Sequence, residues 1–137
     1  MLMICEHAIT ERDKNANVDD ESIITIHTEI VSNLVGWINE NLELPINISM
    51  IARKSGYSRW HFQRIFKHVT GQSLALYIRR QRLYKAAWEL RHSRFNITDI
   101  AYKYQFDSQQ SFWRAFRKEF SITPSMYRKI INYNKNS

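Results

Sequence analysis

Two segments about fifty residues apart repeat one pattern of side chains, and a repeat of that length directs the chain toward two similar small units. The first is Ser58-Arg59-Trp60-His61-Phe62-Gln63-Arg64-Ile65-Phe66-Lys67, and the second is Ser108-Gln109-Gln110-Ser111-Phe112-Trp113-Arg114-Ala115-Phe116-Arg117. Residues i, i+3, i+4 and i+7 share one face of a helix. That spacing groups Phe62, Ile65, Phe66 and Val69 on an apolar side and sets Trp60, Gln63, Arg64 and Lys67 outward. In the second segment it turns Phe112, Ala115 and Phe116 inward and Gln110, Trp113, Arg114 and Arg117 outward.

The repeat extends on both sides. Ile48, Ile51, Ala52 and Lys54 are answered by Ile97, Ile100, Ala101 and Lys103. After one extra residue in the turn, Ser58, Phe62, Arg64, Phe66 and Tyr77 are answered by Ser108, Phe112, Arg114, Phe116 and Tyr127. Asn47 and Ser58 are placed to cap helix starts, Tyr57 to staple onto Phe62, and Gly56 to supply a left-handed turn. Asn96 with Asp99 forms a capping-box-like start, and Thr123-Pro124 opens a last helix to about Tyr133. Between the repeats, Ser73 opens a helix to about His92 that holds no Gly or Pro. Its apolar residues fall on two sides (Leu76, Leu83, Ala87, Leu90; and Tyr77, Ile78, Tyr84, Trp88), which suits a helix packed between two units. At about 1.5 Å per residue it spans about 30 Å, near the ~34 Å between successive major-groove faces of one DNA side.

The chain is therefore read as all-α, two helix-turn-helix subdomains joined by a long central helix. The expected segments are an acidic mobile arm over 1–25, a first subdomain over 26–72, the linking helix over 73–92, a second subdomain over 93–133 and a fraying tail over 134–137. A helix from about His27 to Leu42 is expected to bury Ile30, Leu34, Trp37, Ile38 and Leu42. Trp37 and Trp88 fall on apolar faces and are expected in the core. Only 3 Gly and 2 Pro stand in 137 residues, which disfavours hairpin-rich β folds. No run of about 18 apolar residues is present, and Met1-Leu2-Met3-Ile4 is too short for a secretory core. The single Cys5 excludes an internal disulfide framework and fits a reducing compartment.

The net charge of +7 hides an asymmetry. Residues 1–26 hold six acids against Arg12 and Lys14, a net of −4, so the rest carries +11. A basic body points to a polyanionic partner, nucleic acid or an anionic membrane. The outward faces favour duplex DNA. Arg64 and Arg114 can donate two hydrogen bonds to guanine, and Gln63, Gln109 and Gln110 can pair with adenine. Trp60 and Trp113 either offer apolar contact to sugars and thymine methyls or pack on a neighbouring helix. Arg59, Lys67, Arg79, Arg80, Arg117, Lys118 and Ser111 are either phosphate contacts or solvated surface. No constellation suits catalysis: His61 and His68 lack metal-ligand spacing, and no phosphate loop or nucleophilic triad is present. No cofactor or metal is implied.

The motifs Gly56-Tyr57-Ser58-Arg59-Trp60-His61-Phe62-Gln63-Arg64-Ile65-Phe66, Ile97-Thr98-Asp99-Ile100-Ala101, Phe106-Asp107-Ser108-Gln109-Gln110-Ser111-Phe112 and Pro124-Ser125-Met126-Tyr127-Arg128 resemble the AraC/XylS family of bacterial transcription activators, above all its short MarA/SoxS/Rob group. The resemblance implies seven helices and monomeric binding to an asymmetric site, with both reading helices in successive major grooves of bent DNA. It implies that Trp60, Gln63 and Arg64 read one half and that Gln109, Gln110, Ser111 and Arg114 read or position on the other. It further implies a cytoplasmic, nucleoid-associated activator of a multidrug or oxidative-stress regulon that touches RNA polymerase. Two residues depart from the family pattern. Gln105 stands where glycine is usual, at about 1 kcal/mol if the site needs positive φ, and Trp113 replaces a small polar residue. With no separate effector domain read in the sequence, control by protein abundance is expected. The competing classes are a protein-interaction module and a non-specific architectural DNA binder.

Overall fold

The computed structural model describes residues 18–136, with side chains from Asp20 onward. Most of the expected acidic arm, residues 1–17 with Cys5, lies outside the described residues, as does Ser137. The described residues form seven helices and no strand: α1 (Val18–Glu40), α2 (Ile48–Ser55), α3 (Arg59–Thr70), α4 (Leu74–His92), α5 (Ile97–Lys103), α6 (Gln109–Phe120) and α7 (Pro124–Asn136). They divide into two compact units. One holds α1, α2, α3 and the first turn of α4, through Tyr77. The other holds the Leu42–Pro45 segment, the rest of α4 from Ile78, and α5 to α7.

In the first unit, α1 and α2 both pack on α3. The core is Val31, Val35, Ile38, Ile51, Ala52, Phe62, Ile65, Phe66, Val69, Leu74 and Tyr77. Capping decides where its helices begin. The Asn47 side chain accepts from the amides of Ser49 at 2.9 Å and Met50 at 3.3 Å. Ser58 accepts from His61 at 3.1 Å, and Ser73 from Leu76 at 3.2 Å. Each bond satisfies a helix-start amide that has no partner inside its own helix.

The second unit repeats this plan, with α5 on α6 and α6 on α7 around Leu83, Ala86, Leu90, Ile100, Ala101, Phe112, Ala115 and Phe116. Asn96 accepts from Asp99, Ser108 from Ser111 and Thr123 from Met126, at 2.8–3.2 Å. The correspondence reaches single rings: Phe66 meets Tyr77 edge-on at 5.6 Å, and Phe116 meets Tyr127 edge-on at the same 5.6 Å. The two interiors differ in charge. Glu89 is the one buried charged residue among those described. Its carboxylate takes hydrogen bonds from the Lys103 ammonium and, at 3.2 Å, from the Tyr104 hydroxyl. Burial raises the Glu89 carboxyl, but the bonds from Lys103, Tyr104 and Ser93 outweigh it and hold the group below its ordinary value.

Several details depart from the sequence-based expectation. Helix α1 begins at Val18, not near His27. Ile23 and Ile26 are exposed and no side chain over residues 20–26 is buried, so apolar periodicity has no buried face to reveal there. Acidic Asp20 and Glu21 sit at the positive end of the helix dipole, which favours helix there without packing. The buried stripe of α1 is Val31, Val35 and Ile38; Leu42 is buried too but lies beyond the end of the helix. Leu34 and Ile30 lie at its margin, and Trp37 is half-buried under the Lys54 ammonium, 4.9 Å from the ring centroid.

Trp88 is not core: it is 56% exposed, one face stacked on His92 at 4.5 Å. Beyond Tyr77 the inner face of α4 is Leu83, Ala86, Ala87 and Leu90, and Trp88 lies a step around the helix from it. Leu76 and Tyr84 are exposed as well. The last helix continues past Tyr133 to Asn136, where Lys135 donates to the Arg91 carbonyl at 2.7 Å.

Candidate nucleic-acid interface

The first reading helix, α3, is set by the turn before it. Gly56 closes α2 at φ 81°, and its amide donates to the Arg53 carbonyl. Phe62, Ile65, Phe66 and Val69 are all buried, which fixes the opposite face outward. Trp60 is 66% exposed, and the Arg64 guanidinium lies over its ring at 4.7 Å from the centroid. That contact holds an otherwise free arginine in a defined pose. Lys67 and Arg59 are exposed and Gln63 is half-buried. Trp60, Arg64, Lys67, His61, His68 and His27 line an open concavity of about 680 Å³.

The Tyr57 ring meets the rings of His61 at 5.0 Å and His27 at 5.7 Å, both edge-on. Burial, then the charges of His61 and His68, lower the pKa of His27. The sequence does not mark this histidine group as a unit, because α1 brings in His27 from far along the chain. Among the described residues no group of His, Cys, Asp or Glu is placed to hold a metal ion.

The second reading helix, α6, is approached differently. The turn carries Gln105 at φ 66°, where the corresponding turn has glycine. The Phe106 amide donates to the Ala101 carbonyl at 3.0 Å, and the Gln105 side-chain amide donates to the Glu43 carbonyl at 2.8 Å. The positive φ expected to burden Gln105 is thus present, offset in part by that bond. Gln109, Gln110 and Arg114 are exposed, and with Trp113 they line a shallow concavity of about 530 Å³. The Gln109 side-chain oxygen accepts from the Thr98 hydroxyl at 2.7 Å, which orients its amide.

Trp113 departs from the outward placement expected of it. It is half-buried, and its indole nitrogen is fully buried with no hydrogen-bond partner. Counting from the caps explains why. With Ser58 aligned on Ser108, Trp60 corresponds to Gln110 and Gln63 to Trp113. Gln63 is half-buried too, so Trp113 occupies the inner edge of the face and not the crest.

The residues expected on phosphates fall into two groups. Arg59, Lys67, Arg79, Arg117 and Lys118 are exposed. Arg80 is drawn to Glu119 at 3.3 Å, and Ser111 is half-buried with its hydroxyl 3.2 Å from that of Ser108.

Kinship agrees with this layout. A family model described as a helix-turn-helix domain matches residues 51–130, which span both readers. The transposon Tn10 TetD protein of Escherichia coli is 52% identical over 103 residues, 75% of this chain and 75% of that protein. The chain belongs to the AraC/XylS family. Within it, the regulatory protein SoxS of Salmonella typhimurium is 50% identical over 102 residues, which cover 74% of this chain and 95% of SoxS. The fold is that of the DNA-binding domain of AdpA, solved in complex with a target DNA: TM-score 0.73 at 23% identity, over 78% of this chain and 96% of that one. No helix among the described residues is long and apolar enough to cross a membrane.

Proposed function

We propose that this chain is a sequence-specific DNA-binding transcription activator whose two reading helices address two major-groove segments of an asymmetric promoter site. The observation that carries the reading is the exposed face of α3. There Arg64, posed over Trp60, stands beside Gln63 and Lys67 with no acidic residue lining the concavity. An arginine held in place and an amide beside it make a base-reading pair, and the flanking lysine suits a phosphate. Trp60, Gln63 and Arg64 read one half. Gln109, Gln110, Arg114 and the accessible edge of Trp113 read the other. Arg59, Lys67, Arg79, Arg117 and Lys118 grip phosphates, and Arg80 and Ser111 support that grip. Kinship with SoxS, named a regulatory protein, supports a regulator; that it serves a multidrug or oxidative-stress regulon, binds as a monomer and touches RNA polymerase is the part of the proposal that rests on the family resemblance. Its place is the cytoplasm, on the nucleoid, and the chain is not an enzyme. Paired Arg and Gln on both faces speak against a purely architectural binder, which would need mostly Lys and Arg.

Selection from a random duplex library of about 25 base pairs, then titration of the winner against scrambled DNA at physiological salt, tests this reading. The expected result is an asymmetric two-part motif, one protein per duplex, bound at least about 10³-fold over scrambled DNA. Salt-sensitive binding to every sequence alike would leave the architectural reading. Absence of DNA binding would leave the partner-docking one.

A further inference from the structure

A second concavity in the unit that holds α6 is lined by none of the residues assigned to reading. The C-terminal ends of α4 and α7 enclose about 630 Å³ lined by Arg91, Arg94, Arg128, Lys135, Ser93 and Asn132, among others, and no carboxylate is among the lining residues. Two of the four cations have a structural explanation. Arg128 donates to the carbonyls of Leu90 at 3.2 Å, Phe95 at 2.7 Å and Ser93 at 3.4 Å, and Lys135 donates to that of Arg91. They satisfy the last carbonyls of α4 and sit at the negative end of its dipole. Those bonds leave N–H groups to spare on both side chains and hold both heads in place.

Capping does not account for the other two. Arg91 and Arg94 are exposed, and among the described residues neither side chain has a hydrogen-bond or ion-pair partner. Four cations gathered in one concavity repel one another, and a bound anion relieves that repulsion. Three of the four are guanidinium groups, whose planar forks match phosphate oxygens two at a time. The volume falls within the range of small-ligand sites, so it takes more than a single inorganic ion.

We propose that this basin binds a phosphate-bearing anion. The phosphate comes either from DNA lying beyond the segment being read or from a free phosphorylated small molecule. The free-molecule arm is independent of the promoter-reading function, and the DNA arm extends it.

The test uses the full chain, its Arg91→Ala/Arg94→Ala variant and the charge-preserving Arg91→Lys/Arg94→Lys variant. Inorganic pyrophosphate is titrated at constant ionic strength against a chloride control, followed by amide and Arg128 Nε–H resonances. Saturable shifts confined to residues 90–95 and 128–136 are expected. Affinity should fall about tenfold or more in the alanine variant, with a smaller loss in the lysine variant. If the alanine variant unfolds early, the lysine variant alone carries the comparison.

The second arm compares the selected duplex with one extended by about ten base pairs on each side. A DNA source predicts tighter binding to the longer duplex, with that gain and up to about two units of salt slope lost in the alanine variant. A free-molecule source predicts pyrophosphate saturation with no flank effect. Four results would overturn the proposal. One is shifts that match the chloride control. Another is the lack of both saturation and flank effect. A third is equal loss on short and long duplexes, and the last is displacement of pyrophosphate by poly-glutamate at lower concentration. Loss of the selected motif in the wild type bears on the reading faces, not on this basin.

Discussion

The faces of α3 and α6 contain nearly the same residues and use them differently. Arg64 and Arg114 stand at one register, above buried Phe62 and Phe112. Trp and Gln, however, exchange places between the helices. On α3 the tryptophan is at the exposed crest, where it carries Arg64 on its ring. On α6 the crest position is Gln110, and the tryptophan lies at the inner edge with its N–H buried and unpaired. Among the described residues no ring lies under Arg114. The same side chain is thus a support for an arginine in one unit and part of the seating of a helix in the other. Composition of a face says less than register.

The largest effects fall on the arginines. Arg64→Ala and Arg114→Ala should each cost about 1–3 kcal/mol of binding and relax preference at one position of their own half-site, read by repeating the selection with each variant. The two should differ in coupling. A double-mutant cycle between Trp60 and Arg64 should show about 0.5–1 kcal/mol of interaction, and one between Trp113 and Arg114 close to none. Equal coupling in both would undo the distinction between the helices.

The interiors differ as much as the faces. Glu89→Ala should destabilise by about 1–3 kcal/mol, measured by urea unfolding, because the Tyr104 hydroxyl and the Lys103 ammonium lose their acceptor. The units should also answer acid in different windows. His27 has a folded pKa below its ordinary 6.5, so its contribution is full above that value and is lost as pH falls through the lower folded one. Glu89 is held below its ordinary 4.5, so its contribution is full above 4.5 and is lost as pH falls further. Amide exchange across an acid series should therefore loosen the first unit before the second. In His27→Gln the first step should flatten. Simultaneous loosening in the wild type would count against this assignment.

What the sequence made legible follows from range. The inner faces of α3 and α6 and the cap residues obey rules that act within a turn or two, and Phe62, Phe112, Asn47 and Ser108 stand where those rules put them. The Glu89–Lys103–Tyr104 cluster joins two helices and leaves no local signature. A tryptophan at helical spacing, such as Trp88, looks like core until the helix's inner face is known. The start of α1 leaves no apolar periodicity to read, because over residues 20–26 no side chain is buried, and residues 1–17 lie outside the described structure. The exchange of Trp and Gln was visible in the alignment of the caps, but not in a count of residue types per face.

Trp113 offers a finer test of the second face. With its N–H turned inward, only apolar ring edge remains to meet the groove, and the apolar group a base presents there is the thymine methyl. Replacing each thymine of the second half-site by uracil should reveal one position where the wild type loses about 1 kcal/mol and Trp113→Ala loses nothing further. The same substitutions in the first half-site should report on Trp60. If every uracil is neutral in the second half, Trp113 serves the helix's seating alone.

The smallest expected effect compares two helix ends. Gly71 closes α3 at φ 78°, and Ser121 closes α6 at φ 65°, each amide donating to the carbonyl four residues back at 2.8 Å. The geometry is shared, but only glycine adopts it without crowding its own Cβ. Ser121→Gly should raise stability by up to about 1 kcal/mol, less the greater freedom glycine gives the unfolded chain, and Gly71→Ser should lower it by a similar amount. Both are read as midpoint shifts in urea at constant slope. Neither residue belongs to a reading face, so DNA preference should stay unchanged in both variants. A change in preference with Ser121→Gly would mean that the end of α6 sets the pitch at which Gln110 and Arg114 meet the groove, a dependence that the glycine-closed α3 would not share.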